Sequence, residues 1–319
     1  MGEEARANYA GPHQKVVKMR AASTSVYVPR VRAIPFALLL AACPRALPVT
    51  TDDRSIVVIA AGDIAEGDKP AAQLTATLVE QQHPAAVLVL GDAQYPNGKL
   101  EDFQRSYDPA WGRFKNITWP VPGNHEYWGS EASGYFAYFG ERAGDPTKGY
   151  YSFDLGDWHL IALNTNHKCE HVACDDASEQ VKWLEADLAK NTKKCVLAYW
   201  HHPRFNSGHH GPFNPARPFW ALFMKHRVEL VLNGHEHFYE RFTAVDELGQ
   251  ASRTGVVQLT VGTGGVGFSQ FAATHPSSAA RQNDTYGVVK LRLGAKGWNS
   301  EFLGVPGSTF TDTASGECR

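Results

Sequence analysis

The chain has 319 residues, 43% of them hydrophobic and 20% charged, which is enough apolar surface for a real core in one large domain or two small ones. A formal net charge of -2 leaves no basic excess and argues against a nucleic-acid or other polyanionic partner. Histidine is the informative residue: there are 14, and many crowd between His201 and His237 at short spacings.

The first 54 residues read as a leader and linker, and residues 55–319 as the catalytic domain. Residues 1–32 are polar and basic, with Lys15, Lys18, Arg20, Arg30 and Arg32, and an apolar run from Ala33 to Ala42 follows. That run is shorter than the roughly 20 residues a membrane span needs. A basic segment ahead of a short apolar one is the pattern of an export signal. The run ends in Leu40-Ala41-Ala42-Cys43, which resembles the lipobox of bacterial lipoproteins. The resemblance implies cleavage before Cys43 and lipidation of it, so that membrane attachment would run through that residue alone. Met19 is a second candidate start. The expectation is an exported protein, secreted or anchored at the cell envelope.

From Ser55 the chain alternates strand-like and helix-like patterns. Ser55–Ala61 is a β-branched run ending at Gly62-Asp63, Pro70–Gln82 is helix-like, and Ala86–Leu90 is a second apolar run ending at Gly91-Asp92. Val121 precedes Pro122-Gly123-Asn124-His125. Trp158–Leu163 reads as a strand and Ala177–Lys190 as an amphipathic helix. Cys195–Trp200 and Val228–Leu232 read as strands ending at His201 and at Gly234-His235. This is an α/β pattern. Its polar residues fall just past the C-terminal ends of the apolar strands, where open α/β sheets place their ligands. Val256–Val261, Tyr286–Leu293 and Trp298–Val305 follow without intervening helices, and they predict a second sheet or its edge. Residues 265–285, rich in Ser, Ala and Gln, read as a mobile loop.

Cysteines stand at 43, 169, 174, 195 and 318, and no CxxC occurs, which argues against a zinc ribbon or a thioredoxin-like site. Setting Cys43 aside leaves an even number. Cys169 and Cys174 would close a small polar loop, and Cys195 with Cys318 would tie the C-terminus to a central strand; four unpaired thiols are the alternative. His167, Cys169, His171 and Cys174 fit no structural zinc spacing.

The chemistry-bearing segments are Gly62-Asp63, Gly91-Asp92-Ala93-Gln94-Tyr95, Gly123-Asn124-His125-Glu126, His201-His202-Pro203 and Gly234-His235-Glu236-His237. Carboxylate, amide oxygen and imidazole suit paired first-row metals. Glycine ahead of several of them permits a sharp turn at a strand end. His235 and His237, two apart, point the same way on extended backbone. Singly each motif is weak; the ordered set at strand ends is specific.

Over residues 55–305 this set resembles the calcineurin-like metallophosphoesterases, and within them the purple acid phosphatases. Most of the superfamily opens with Asp-x-His, but Asp63-Ile64-Ala65 lacks that histidine. In the purple acid phosphatases a Tyr three residues after the second Asp replaces it, and Tyr95 stands there. Gly234–Arg241 (GHEHFYER) also resembles that subgroup's closing motif. The resemblance implies a four-layer αββα sandwich of two mixed sheets flanked by helices. It further implies two metal ions. Asp63, Asp92, Tyr95 and His237 would hold the first, Fe(III). Asp92 would bridge to a second, Fe, Zn or Mn, completed by Asn124, His201 and His235. His202 would lie just outside the ligand set.

The function so implied is hydrolysis of phosphate monoesters by attack of a dimetal-bound hydroxide. By resemblance His125 would protonate the leaving alcohol, and His209 and His210 would contact the phosphate of a small ester substrate. Glu126 would orient His125 or a neighbouring ligand, and Arg204 and Arg217 are further phosphate-binding candidates. A phosphodiesterase or nucleotidase on the same core stays open. So do an inactive binding protein and a metal-storage or redox protein on this fold.

Overall fold

Runs such as Ile56–Ala61 and Ala86–Leu90 carry no polar alternation, and in the computed structural model of the chain both lie buried between layers, as a strand covered on two faces must. The structure describes residues 55–319 apart from Ser130 and His167; the leader, the lipobox and Cys43 lie outside the described residues. In chain order the first strands are β1 (Ile56–Ala61), β2 (Ala65–Glu66), β3 (Ala86–Leu90), β4 (Gln94–Tyr95) and β5 (Thr118–Val121). Next come β6 (Tyr151–Leu155), β7 (Trp158–Ala162), β8 (Cys195–Tyr199), β9 (Leu230–Asn233) and β10 (Tyr239–Phe242). The last are β11 (Val257–Val261), β12 (Ser278–Gln282), β13 (Gly287–Gly294), β14 (Gly297–Gly304) and β15 (Thr313–Glu317).

Two mixed sheets result. One runs β15-β14-β13-β1-β3-β5 and the other β12-β10-β11-β9-β8-β7-β6. Strands β1, β3 and β5 are parallel, as are β7, β8, β9 and β11. The expected placement of the last strands needs correction. Val257–Val261 does join the second sheet, but β13 and β14 extend the first, with β13 antiparallel to β1.

The side-chain period of two builds the layers. Leu160, Leu197, Leu230 and Leu232 enter the core shared with the first sheet, while Ile161, Val196, Ala198 and Val231 face the opposite way. Helices Glu179–Lys190 and Arg217–His226 cover that outer face with Val181, Leu184, Leu188, Phe219 and Phe223. Ser178 caps the first of them by accepting the Val181 N–H at 3.2 Å. Helix Ala71–Gln81 buries Ala72, Ala76 and Val79 on the first sheet's side, and Trp111 donates to the Ala72 carbonyl at 3.1 Å. The order helix, sheet, sheet, helix is the four-layer α/β sandwich.

Two disulfides are present, Cys169–Cys174 and Cys195–Cys318. They are the marks of a chain matured in an oxidising compartment. Among the described residues no helix is long and apolar enough to cross a membrane.

At the edge of the second sheet His159 on β7 bridges Asp154 on β6 and Asp187 on helix Glu179–Lys190, at 2.8 Å on each ring nitrogen. Lys193 lies 3.8 Å from Asp154, and Ser152 donates to Asp187 at 2.8 Å. Burial opposes the proton on His159, but hydrogen bonds and charge from Asp187 and Asp154 outweigh it and raise the imidazole above its ordinary value. A raised histidine stabilises the fold fully below its unfolded value and loses that contribution as pH rises through the folded one. His159→Gln should therefore cost about 1 kcal/mol more at about pH 5 than at about pH 9 in paired denaturant titrations. An equal loss at both would contradict the charged bridge.

Candidate metal centre

Six of the seven predicted ligands follow strand ends, Tyr95 being the last residue of β4, and three adopt left-handed backbone: Asp63 (φ 59), Asp92 (φ 46) and His235 (φ 72). Such conformations cost about 1–3 kcal/mol each and cluster at functional sites. Sequence reasoning assigned the sharp turns to the preceding glycines. Gly91 does turn with φ 86, but Gly123 instead permits close approach, since a Cβ there would collide with the Asp92 carboxylate.

Each aspartate divides its oxygens. Asp63 Oδ2 accepts the His235 N–H at 2.8 Å, and Asp92 Oδ1 accepts the His125 N–H at 2.8 Å. The remaining oxygens converge. Tyr95 Oη lies 2.8 Å from Asp63 Oδ1, 3.0 Å from Asp92 Oδ2 and 3.0 Å from His237 Nε2. Asp92 Oδ2 also lies 3.1 Å from His201 Nε2. Asn124 Oδ1 stands 3.2 Å from His201 Nε2 and 3.1 Å from His235 Nδ1.

Proton counting tests whether these groups suit cations. His201 Nδ1 donates to the Leu90 carbonyl at 2.8 Å, and His237 Nδ1 to the Gly267 carbonyl at 2.7 Å. A carbonyl only accepts, so when the two rings are neutral both Nε2 atoms present lone pairs. The Tyr95 hydroxyl then has one proton for three acceptors, and Asn124 Oδ1 faces a second lone pair on His201. Acceptors packed this way repel one another unless a cation lies among them. The groups form two adjoining sets with Asp92 in both, and they fit a dinuclear metal centre. His201, His202 and His235 place ring nitrogens within 4.8 Å of one another, as do Asp63, Asp92 and His201 with their ligand atoms.

The local field favours positive charge, which in the metal-free chain protons on the His201 and His237 Nε2 atoms supply and which a bound cation would replace. Burial works against His201, but Asp92 outweighs it and pushes the imidazole up to about 9; Asp63 does the same for His237, also about 9. Despite its burial, Asp92 is held well below the usual carboxylate range by His201 and His125. Burial, then Asp63 and Asp92, push the Tyr95 phenol well above its ordinary value, an ordering a bound cation inverts.

The histidines around this cluster take distinct positions. His125 Nδ1 donates to the Pro96 carbonyl at 2.7 Å, leaving Nε2 3.9 Å from Asp92 Oδ2. His210 sets Nδ1 3.2 Å from the buried Glu236 carboxylate, and its ring centroid is 4.6 Å from that of His235. His209 is exposed and does not line the cavity. His202 engages Thr165 Oγ1 at 2.8 Å and stacks on Phe213 at 4.7 Å, so it borders the cluster. Neither Arg204 nor Arg217 lines the cavity: Arg204 donates into the interior, to Asn214 at 3.1 Å and the Glu247 carbonyl at 3.4 Å.

Two supports hold the site, the first of them the residue expected to orient His125 or a neighbouring ligand. Glu126, fully buried, accepts the N–H groups of Gly123 at 2.7 Å, Asp92 at 2.9 Å and Gln94 at 3.3 Å. It locks the Asp92 loop to the Asn124 loop rather than touching His125. The segment expected to be a mobile loop instead packs on the site. Val266 N–H donates to the Asp63 carbonyl at 3.1 Å, Ser269 N–H to that of His237 at 3.1 Å, and Ser278–Gln282 is β12.

A cavity of about 440 Å³ opens at the cluster, with Asp92, Asn124, His125, His235 and His237 on one wall. A larger cleft of about 790 Å³ at Phe271, Arg281 and Phe310 shares no residue with it.

Two adjoining donor sets at the strand ends of an αββα sandwich suit a dinuclear metal centre. The family model for calcineurin-like phosphoesterases matches residues 56–239, and the chain belongs to that family. Within it the similarity is to purple acid phosphatases. The chain is 30% identical over 242 residues to purple acid phosphatase 23 of Arabidopsis thaliana, covering 62% of this chain and 51% of that one. It is 29% identical over 248 residues to human acid phosphatase type 7, covering 65% and 55%. The chain thus spans about half the length of these relatives. Among solved structures, a purple acid phosphatase from yellow lupin seeds superposes with a TM-score of 0.66 at 19% identity over 84% of this chain and 54% of that one, a likeness of fold.

Proposed function

We propose that the chain hydrolyses phosphate monoesters at a dinuclear metal centre. The observation that carries this reading is the convergence of seven metal-donor side chains in two sets that share Asp92. Asp63, Asp92, Tyr95 and His237 would hold one cation, Fe(III), and Asp92, Asn124, His201 and His235 the other, Fe, Zn or Mn. Such a pair, when bound, polarises phosphoryl oxygens and makes hydroxide available near neutral pH. Similarity to purple acid phosphatases, and Tyr95 at the subgroup's diagnostic position, support monoesters over diesters.

The remaining work falls to the chain's own side chains. His125, tied at Nδ1, keeps Nε2 toward the cavity, where it can hold a proton for the departing alcohol. His210 is raised above its ordinary value first by its hydrogen bond to Glu236, which favours the cationic form a phosphate oxygen would pair with. His209, one residue before it, has no such anchor. The export signal and disulfides support action outside the cytoplasm, with Cys43 as the site of lipid attachment.

His125→Ala should lower kcat by about 10²–10³-fold with metal content unchanged. The loss should grow as the leaving alcohol becomes more basic, because a poorer leaving group needs the proton more. Rates on p-nitrophenyl phosphate and on glycerol 2-phosphate check this, and equal losses on both would remove His125 from that role. Cleavage of bis(p-nitrophenyl) phosphate alone would move the function to diesters.

A further inference from the structure

The segment Tyr239-Glu240-Arg241 divides by the pleat of β10. Tyr239 and Arg241 both donate to Asp312, at 2.6 Å and 2.7 Å. Glu240 faces the other side of the sheet. It is wholly buried, and both its oxygens go to one residue: Oε2 accepts the Ser207 N–H at 2.9 Å and Oε1 the Ser207 hydroxyl at 2.5 Å. Among the described residues no lysine or arginine pairs with it. A buried carboxylate without a cation stabilises a fold less than an apolar side chain of its size, so core packing alone does not account for Glu240.

Ser207 belongs to the loop that carries His210. Its hydroxyl accepts the His275 N–H at 2.9 Å, and its carbonyl accepts the Ala272 N–H at 2.8 Å. Asn206 brackets the His209-His210 turn: its Oδ1 accepts the Gly208 N–H at 2.8 Å, and its Nδ2 donates to the Gly211 carbonyl. Gly208 runs so close to Glu236 that a Cβ would stand 2.3 Å from the carboxylate. The turn is thus held on both sides, and His210 lines the cavity with Nδ1 on Glu236. The segment that meets Ser207 from above also holds His237, through the Gly267 carbonyl and the Ser269 N–H.

We infer that Glu240 is a positioning residue for phosphate binding: through Ser207 it sets the loop that places His210 beside the metal centre. This rests on the proposed contact of His210 with phosphate and extends it into the sheet. Hydrogen bonds weaken steeply with misalignment, so a loop shift of about 1 Å takes His210 away from a phosphate oxygen without touching a metal ligand. Glu240→Gln produces such a shift. The amide keeps one acceptor for the Ser207 N–H but turns its other group into a donor that faces the Ser207 hydroxyl.

Binding of inorganic phosphate to the metal-loaded chain, followed by calorimetry in a double-mutant cycle, tests this without turnover. His210→Ala should weaken phosphate about tenfold, as loss of a hydrogen bond from a charged group does. Glu240→Gln should weaken it about fivefold with metal content unchanged, and Ser207→Ala should act in the same direction. In the His210→Ala background Glu240→Gln should change phosphate affinity little, because the group it positions is gone. In turnover, Glu240→Gln should raise KM for p-nitrophenyl phosphate more than it lowers kcat. Equal weakening by Glu240→Gln in both backgrounds, no weakening in either, or a matching loss of metal would overturn the positioning role; ester hydrolysis by the native chain would then leave the phosphatase reading standing. The coupling without any ester hydrolysis would do the reverse, keeping the role of Glu240 and removing the phosphatase reading.

Discussion

Asp92→Asn is expected to reduce phosphate-ester hydrolysis by roughly 10³-fold or more, the largest single loss at this centre. Asp92 belongs to both donor sets: Oδ2 lies near Tyr95, His201 and, farther off, His125. Its other oxygen takes the His125 N–H. An amide keeps the shape but removes the charge that holds two cations together, and it turns one acceptor into a donor that faces a lone pair. Metal content should fall with the rate, and elemental analysis of the purified variant reads it directly. The fold should survive, because Glu126 still binds the Asp92 and Gly123 amides. An unchanged rate with full metal content would show that Asp92 is not shared between two cations.

The second large effect concerns stability. Cys195 is central in the second sheet, and Cys318 directly follows β15, the edge strand of the first. Their bond spans 123 residues of sequence, whereas Cys169–Cys174 spans 5. Loop-closure entropy then assigns about 5 kcal/mol to the long bridge and about 2 kcal/mol to the short one. The variant Cys195→Ser/Cys318→Ser should melt roughly 10–20 °C lower than the native chain. Removal of the Cys169–Cys174 bridge should cost less than half of that. Calorimetric melts of the two variants check the order, and a larger loss from the short bridge would contradict it.

Five of the proposed ligands stand at points the sequence marks twice, by the end of an apolar run and by a short polar motif. Asp63, Asp92, Asn124, His201 and His235 all follow this rule. The short Cys169–Cys174 bridge was open to local reasoning, whereas Cys195–Cys318 was only the pair left over. What the sequence conceals is long-range. An apolar strand such as Val288–Leu293 shows its period but not its partner, and its pairing with β1 crosses more than half the chain. The Gly267 carbonyl that orients His237 carries no side-chain signature at all. Glu126 was visible as a residue beside Asn124, but its three amide partners come from two loops that only the fold brings together. His209 and His210 are adjacent, and only the loop's path decides that His210 faces Glu236.

The most direct test of the central claim joins metal content to activity in one preparation. The chain is purified, its metals are counted by elemental analysis, and p-nitrophenyl phosphate hydrolysis is followed before chelation, after chelation and after metal is returned. The account predicts about two ions per chain, loss of hydrolysis as they are removed, and its recovery on reconstitution. Full hydrolysis by the metal-free chain would contradict it.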